Sequence, residues 1–230
     1  SMALLLFLLR RRKDLAIEVL ATHVNHGIRG ASARADANFV TAFCRRNGVE
    51  LFLYDAEKEG VPIPPQPSEE WARELRYTWF DQLAAREEAL IATAHTCSDQ
   101  AETLLFRMAR GTGLHGLAGI PPCRGIYRPP CLCLTRADTE AYCAALGQNY
   151  VQDETNADDL YARNRIRHTV VPALQSVNPA AEQAIARLCR QMRALDDWLT
   201  AEAAALLQAA AVQGGYEVET LCRARGPVLD

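Results

Sequence analysis

The sequence predicts an α/β fold with a doubly wound parallel sheet, followed by a helical segment. Short apolar runs rich in β-branched residues alternate three times with stretches of helical periodicity, over short connections. That alternation is the signature of parallel strands joined by right-handed crossover helices. Beyond Gly119 prolines cluster and helical periodicity takes over, so the sheet belongs mainly to the first part of the chain.

Met2–Lys13 reads as a helix without a strand before it, and Leu15–Val24 as a strand ending in the turn His23–Gly27. Ala31–Asn47 carries Ala35, Phe39, Val40 and Phe43 at helical spacing, with Gly48 placed as its C-terminal cap. Val49–Tyr54 is a short strand. Glu57–Pro67 holds four prolines and a glycine and is expected to be an exposed, mobile loop. Ser68-Glu69-Glu70 opens a helix running to about Arg86, with Trp71, Leu75, Trp79 and Leu83 along one core-facing stripe. Ala89–Thr93 is the next strand and Asp99–Arg110 the next helix. Pro121, Pro122, Pro129 and Pro130 surround a strand over Ile126–Leu134, and Thr135 begins a helix that ends at Gly147. Asp158–Leu174 and Pro179–Ala211 are helical, the latter with Ile185, Leu188, Met192, Leu195 and Leu199 at helix spacing and broken by Gly214-Gly215.

A length of 230 residues, 49% hydrophobic and 23% charged, suits one α/β domain plus a smaller helical piece. A net charge of −3 excludes a generic polyanion binder, so nucleic-acid contact requires local basic clusters. Arg10–Lys13 most simply decorates a helix C-terminus, whereas Arg163, Arg165 and Arg167 with His168 form a second cluster. The eight cysteines include no C-x-x-C pair, which fits a reduced cytoplasmic protein better than a zinc or iron–sulfur site, and no metal ligands are assigned. Met2–Leu9 is too short for a signal peptide, with its basic residues on the wrong side, and no segment is long enough to span a bilayer.

The chemistry concentrates between Ala94 and Ile120. Asp99 and Glu102 are three apart, which puts both carboxylates on one helical face, one turn from the N-terminus and beyond the end of a strand. Such a pair suits a cationic ligand; a solvated helix start would show the same residues. The Arg-Gly-Thr-Gly loop that follows offers Arg110 and Thr112 to phosphate, or serves as a helix cap. Arg163 and Arg167, four apart, with Asn164 beside them, form either a solvated basic face or an RNA contact, since arginine forks grip phosphate and asparagine reads base edges.

Six segments in register then carry a family likeness: His23-Val24-Asn25-His26-Gly27-Ile28-Arg29-Gly30, Arg34-Ala35-Asp36-Ala37, Glu74-Leu75-Arg76-Tyr77, Asp99-Gln100-Ala101-Glu102-Thr103, Arg110-Gly111-Thr112-Gly113-Leu114, and Asn156 with Arg163–His168. Together they make the chain similar to the tRNA(Ile)-lysidine synthases, PP-loop ATP pyrophosphatases on an adenine-nucleotide α-hydrolase-like fold. The resemblance implies ATP with Mg2+ and free L-lysine acting on a tRNA(Ile) with a CAU anticodon. It also implies a nucleotide-binding domain over 1–134, a helical segment over 135–212 that completes the catalytic core and contacts tRNA, and the start of a further region over 213–230. On this reading AMP is transferred to O2 of the wobble cytidine, and the lysine ε-amine then displaces it at C2. Asp99 and Glu102 hold the lysine. Ser1, His23, Val24, Asn25, Thr93, Ala94, Arg110 and Thr112 contact ATP, and Arg163, Asn164 and Arg167 contact tRNA; a core role for His23 is almost as good a reading.

The family's phosphate cradle is a Ser-Gly-Gly-x-Asp-Ser loop before its first helix. Here only the last serine is matched, by Ser1, and both glycines are missing, so the chain is expected to be truncated at both ends and inactive alone. Thr96 and Ser98 stand where the family often has His and Asp, which weakens the case for a metal at that turn. The competing readings are a tRNA-cytidine thiolase of the same superfamily and a non-catalytic RNA-binding remnant of the fold.

Overall fold

The computed structural model describes residues 1–151 and 162–222. Asn156, the expected helix start at Asp158 and residues 223–230 lie outside them. By compactness the described chain divides into two units. One unit comprises Ser1–Ala94, Cys123–Cys131 and Arg136–Glu154, and the other His95–Pro122, Leu132–Thr135 and Thr155–Asp230.

In the first unit, α1 (Met2–Arg11) leads to β1 (Ala21–Asn25), α2 (Gly30–Asn47), β2 (Leu51–Asp55), α3 (Glu69–Arg86), β3 (Ile91–Ala92), β4 (Tyr127–Arg128) and α6 (Arg136–Ala145). β1 and β2 are parallel and joined by α2, with Ala21 opposite Leu51 and Asn25 opposite Asp55; β3 and β4 form a second parallel pair. The expected parallel α/β architecture is present, as two separate strand pairs among the described residues. Met2, Ala3, Ala21, Phe43, Cys44, Val49 and Cys143 form the core, with Leu5, Leu9, Phe39 and Val40 packed on it. Gly48 ends α2 in the left-handed conformation (φ 62°), and Ser68 caps α3 by accepting from the Trp71 N–H.

Two strands are shorter than expected. After α1 the chain keeps turning, with Leu15 N–H bonded to Arg11 O and Ile17 N–H to Arg12 O, so the strand starts only at Ala21. Pro129 and Pro130 lack the N–H groups a ladder needs, so the strand expected over 126–134 stops at Arg128 and passes into a 3₁₀ turn, Pro130–Cys133.

The second unit is helical: α4 (Cys97–Ala109), α5 (Leu114–Leu117), α7 (Ala162–Arg165), α8 (Val171–Val177), α9 (Ala181–Ala210) and α10 (Val218–Leu221). A π turn, Ile166–Val170, replaces the uninterrupted helix expected there; Pro172, in the first turn of α8, supplies no N–H to continue a regular ladder. α4 packs on α9 along a face that buries Cys97, Ala101 and Leu104. The loop after α5 is clamped to both helices. Gln100 exchanges hydrogen bonds with both backbone groups of Ile120, Arg107 donates to the carbonyls of Gly116 and Gly119, and Arg193 donates to that of Ala118. Gly119 (φ 63°) is required there, because a Cβ would lie 2.7 Å from Gln100 Oε1 and 3.0 Å from Cys189 Sγ. Gly214 turns a short hairpin between β5 (Ala211–Val212) and β6 (Gly215–Tyr216). Among the described residues no helix is long and apolar enough to cross a membrane.

Candidate active site

Within the second unit, Thr96 and Asp99 close the N-terminus of α4 as a reciprocal capping box. Asp99 Oδ2 accepts from Thr96 N–H and from its hydroxyl, each at 2.7 Å, and Thr96 Oγ1 accepts from the Asp99 N–H at 3.4 Å. Opening a helix is the alternative to a ligand role for this residue type, and the structure gives Asp99 that task while leaving it half-buried.

One turn on, Glu102 is buried at 4% exposure. Its two carboxylate oxygens accept from Arg167 Nε at 2.7 Å and Nη2 at 3.0 Å, a bidentate fork between residues 65 positions apart. The sequence pattern points Arg167 at tRNA phosphate; its guanidinium is engaged by Glu102 instead. A carboxylate offers about four acceptor sites, so one arginine fork does not by itself saturate it. The chemical capability is that of a rigidly aimed anion at the start of a helix, with its orientation fixed by a cation.

Arg163 in α7 and Arg167 in the π turn both reach α4, Arg167 at Glu102 and Arg163 beside Thr103, Phe106 and Arg107. Arg163 lines a shallow depression of about 420 Å³ with Thr103, Phe106, Arg107, Arg110, Gly111 and Thr112. The structure thus brings together Arg110 and Thr112, expected at ATP, with Arg163, expected at tRNA. Arg110 lies over the Phe106 ring, 5.3 Å from its centroid. Asn164, expected at tRNA, is buried at 7% exposure.

In the first unit, the end of β1 holds His23, Val24 and Asn25. Asn25 is buried; its amide donates to Asp55 Oδ2 at 3.3 Å, and its side-chain oxygen accepts from Gly27 N–H at 3.0 Å, which shapes the turn. Gly27 takes φ 76°, and a Cβ there would meet Ile63 Cδ1 at 2.5 Å, so the proline-rich loop closes directly over this turn. Burial pushes the His23 imidazole below its ordinary pKa, partly countered by the Asp36 carboxylate. Thr93, at the end of β3, donates its N–H to Arg128 O at 2.9 Å, and Ala94 follows half-buried. Ser1 stands at the N-terminus of α1, where its carbonyl accepts from Leu5 N–H.

Beside Gly27, His26 is half-buried, its Nε2 enclosed without a hydrogen-bond partner. Desolvation, followed by the positive charge of Arg76, pushes its pKa down to about 4. The local sequence carries no signal of this, since the loop and helix that enclose His26 are remote in the chain.

Residues 1–174 match the PP-loop domain family. The chain is 40% identical over 193 residues to the tRNA(Ile)-lysidine synthase of Clostridium perfringens strain 13, covering 82% of this chain and 41% of that protein. For the tRNA(Ile)-lysidine synthase of Clostridioides difficile strain 630 the identity is 37% over 215 residues, covering 89% and 45%. For that of Bacteroides thetaiotaomicron it is 38% over 169 residues, covering 72% and 39%. The chain therefore spans about two fifths of the length of the curated relatives it matches. Among solved structures, a U34-tRNA thiolase from Methanococcus maripaludis, solved with its [4Fe-4S] cluster, superposes with a TM-score of 0.67 at 15% identity, covering 83% of this chain and 67% of that one. At that identity the likeness speaks to the fold alone. The family match over residues 1–174, joined to the parallel strand pairs of the first unit, makes this chain a member of the PP-loop domain family, with tRNA(Ile)-lysidine synthases as its sequence relatives.

Proposed function

We propose that the chain is the catalytic part of an enzyme that modifies tRNA(Ile), joining free L-lysine to C2 of the wobble cytidine at the expense of ATP. The observation that carries this reading is the buried Glu102 carboxylate, aimed by the Arg167 fork one turn from Asp99, in a chain about 40% identical to lysidine synthases. A pyrimidine carbonyl oxygen leaves poorly. In the first step O2 attacks the α-phosphorus of ATP and pyrophosphate departs, which turns O2 into part of a good leaving group. In the second step the lysine ε-amine, whose ordinary pKa is about 10.4, must give up a proton before it attacks C2 and expels AMP. Asp99 and Glu102 hold the ammonium groups of lysine, and one of the two takes that proton.

Arg110 and Thr112, with Arg107 beside them, offer a cationic seat for the phosphates of ATP, and Arg163, which lines the same depression, is assigned to the RNA backbone. Within the first unit, we assign ATP contacts to His23, Val24 and Asn25 at the end of β1, to Thr93 and Ala94 at the end of β3, and to Ser1. Among the described residues no group of three or more His, Cys, Asp or Glu side chains gathers to cage a metal. Magnesium would therefore arrive on the phosphates of ATP, and no step here is routed through it. The anticodon loop supplies splayed single-stranded bases, the form in which RNA sequence is read, and we place the enzyme in the cytoplasm with its tRNA.

Incorporation of labelled lysine into a CAU-anticodon tRNA transcript tests the reading, alongside ATP-dependent AMP transfer. In the full-length enzyme, Asp99→Ala or Glu102→Ala should keep AMP transfer and lose lysine incorporation. Incorporation at the parent rate would refute the role of the pair. Sulfur incorporation in place of lysine would move the chain to the thiolase reading.

A further inference from the structure

The first unit carries a basic and aromatic cluster that none of the roles above uses. On α3, the Arg73 guanidinium carbon lies 4.6 Å from the Tyr77 ring centroid, and Nη2 donates to the Tyr77 hydroxyl at 3.3 Å. From the turn before β4, Arg124 sits over two rings at once, 5.2 Å from the centroids of both Tyr77 and Tyr127. The two tyrosines are themselves 5.0 Å apart. The turn is pinned by Arg128 Nη1, which donates to the carbonyls of Gly125 at 2.5 Å and Tyr127 at 2.9 Å. The Tyr127 hydroxyl donates to Asp81 Oδ1 at 2.5 Å, which fixes the second ring.

Arg73 and Arg124 thus share the Tyr77 ring, Arg124 also lies over Tyr127, and the Asp81 carboxylate accepts from the Tyr127 phenol. Among the described residues neither Arg73 nor Arg124 makes an ion pair, and both side chains are exposed. Exposed arginines ordinarily spread into solvent. Here Tyr77 contacts both guanidiniums, so two exposed cations are held in place at one ring, where an incoming anion would meet them. Arginines held in advance also lose less side-chain freedom on binding.

We propose that this cluster is a second contact surface for single-stranded RNA, in which Arg73 and Arg124 grip backbone phosphates while a base stacks on the guanidinium–tyrosine platform. It rests on the RNA-modifying reading above and adds a surface in the first unit to the one around Arg163. The interleaving of cations with aromatic rings favours single strands over duplex, because stacking needs an unpaired base face, whereas duplex backbone asks only for charge.

Fluorescence anisotropy with a labelled CAU-anticodon stem-loop RNA, titrated at several salt concentrations, tests it. Arg73→Ala with Arg124→Ala should weaken binding about tenfold at 0.1 M salt and flatten the salt slope by about 1 to 2, the loss of two phosphate contacts. ATP binding by equilibrium dialysis and the circular dichroism spectrum should stay those of the parent. Arg124→Lys should keep the slope and lose part of the affinity, because an ammonium keeps the charge without the planar stack. A double variant with the parent affinity and slope overturns the proposal, and if Arg163→Glu still weakens binding the RNA reading itself survives. A parent that binds no RNA overturns both. Polyglutamate competing as well as poly(U) for the parent, and losing that ability in the double variant, would assign the cluster to an acidic protein segment and overturn it too.

Discussion

Replacing Arg167 with alanine leaves the Glu102 carboxylate buried without its fork. The side chains of the pair are 21% and 5% exposed, and two charge-assisted hydrogen bonds join them. At a charge separation of about 4 Å and an effective dielectric of about 20, the attraction is about 4 kcal/mol. Removing one partner of a buried pair costs about 3 to 5 kcal/mol, because the remaining charge is stranded. The partial exposure of Arg167 lets water reach the vacated space, which favours the lower end, about 3 kcal/mol. With a urea m-value of about 2 kcal/mol/M, the midpoint should fall by about 1.5 M with the slope unchanged. Glu102→Met combined with Arg167→Met removes both charges at similar volume and should return to within about 1 kcal/mol of the parent. Urea unfolding followed by circular dichroism reads all three proteins. A loss below about 1 kcal/mol for Arg167→Ala, or a double variant no better than the single one, would refute the claim that the fork stabilises a buried charge.

The proton affinity of His26 is lower in the folded protein, where its pKa is pushed down to about 4, than in the unfolded chain near 6.5. The unfolded state therefore takes up more protons between those values, so melting temperature should fall as pH drops from 6.5 to 4, and His26→Gln should flatten that dependence. An unchanged profile in the variant would exclude His26 as its source. Gly27→Ala forces a side chain into φ 76° and within 2.5 Å of Ile63 Cδ1; chemical denaturation should show a loss of about 2 to 3 kcal/mol, and a loss below about 1 would contradict the closeness of the loop. Thr96→Ala removes one half of the capping box and should cost about 1 kcal/mol, read as faster amide exchange in the first turn of α4.

Much of this molecule could be read from local pattern. The Gly48 cap, the Ser68 cap and the long α9 repeat follow from spacings within one or two turns, and each is present. The capping box at Thr96 and Asp99 is also written locally, as Thr-x-x-Asp; weight placed on the carboxylate pair passes over the threonine that binds one member. Strand ends were less legible, because Pro129 and the turn after α1 limit pairing in ways that apolar runs do not reveal.

The sequence by itself determined the α/β class, the capped helix ends at Gly48 and Ser68 and the residue types available for chemistry, because periodicity and caps act between near neighbours. Tertiary structure alone decided that Arg167 serves Glu102, that Asn164 is buried, that Arg110, Thr112 and Arg163 share one depression, and that His26 is enclosed. Each of these depends on which distant surfaces meet when apolar faces pack, and burial then sets the partner and the charge state of every polar group caught between them.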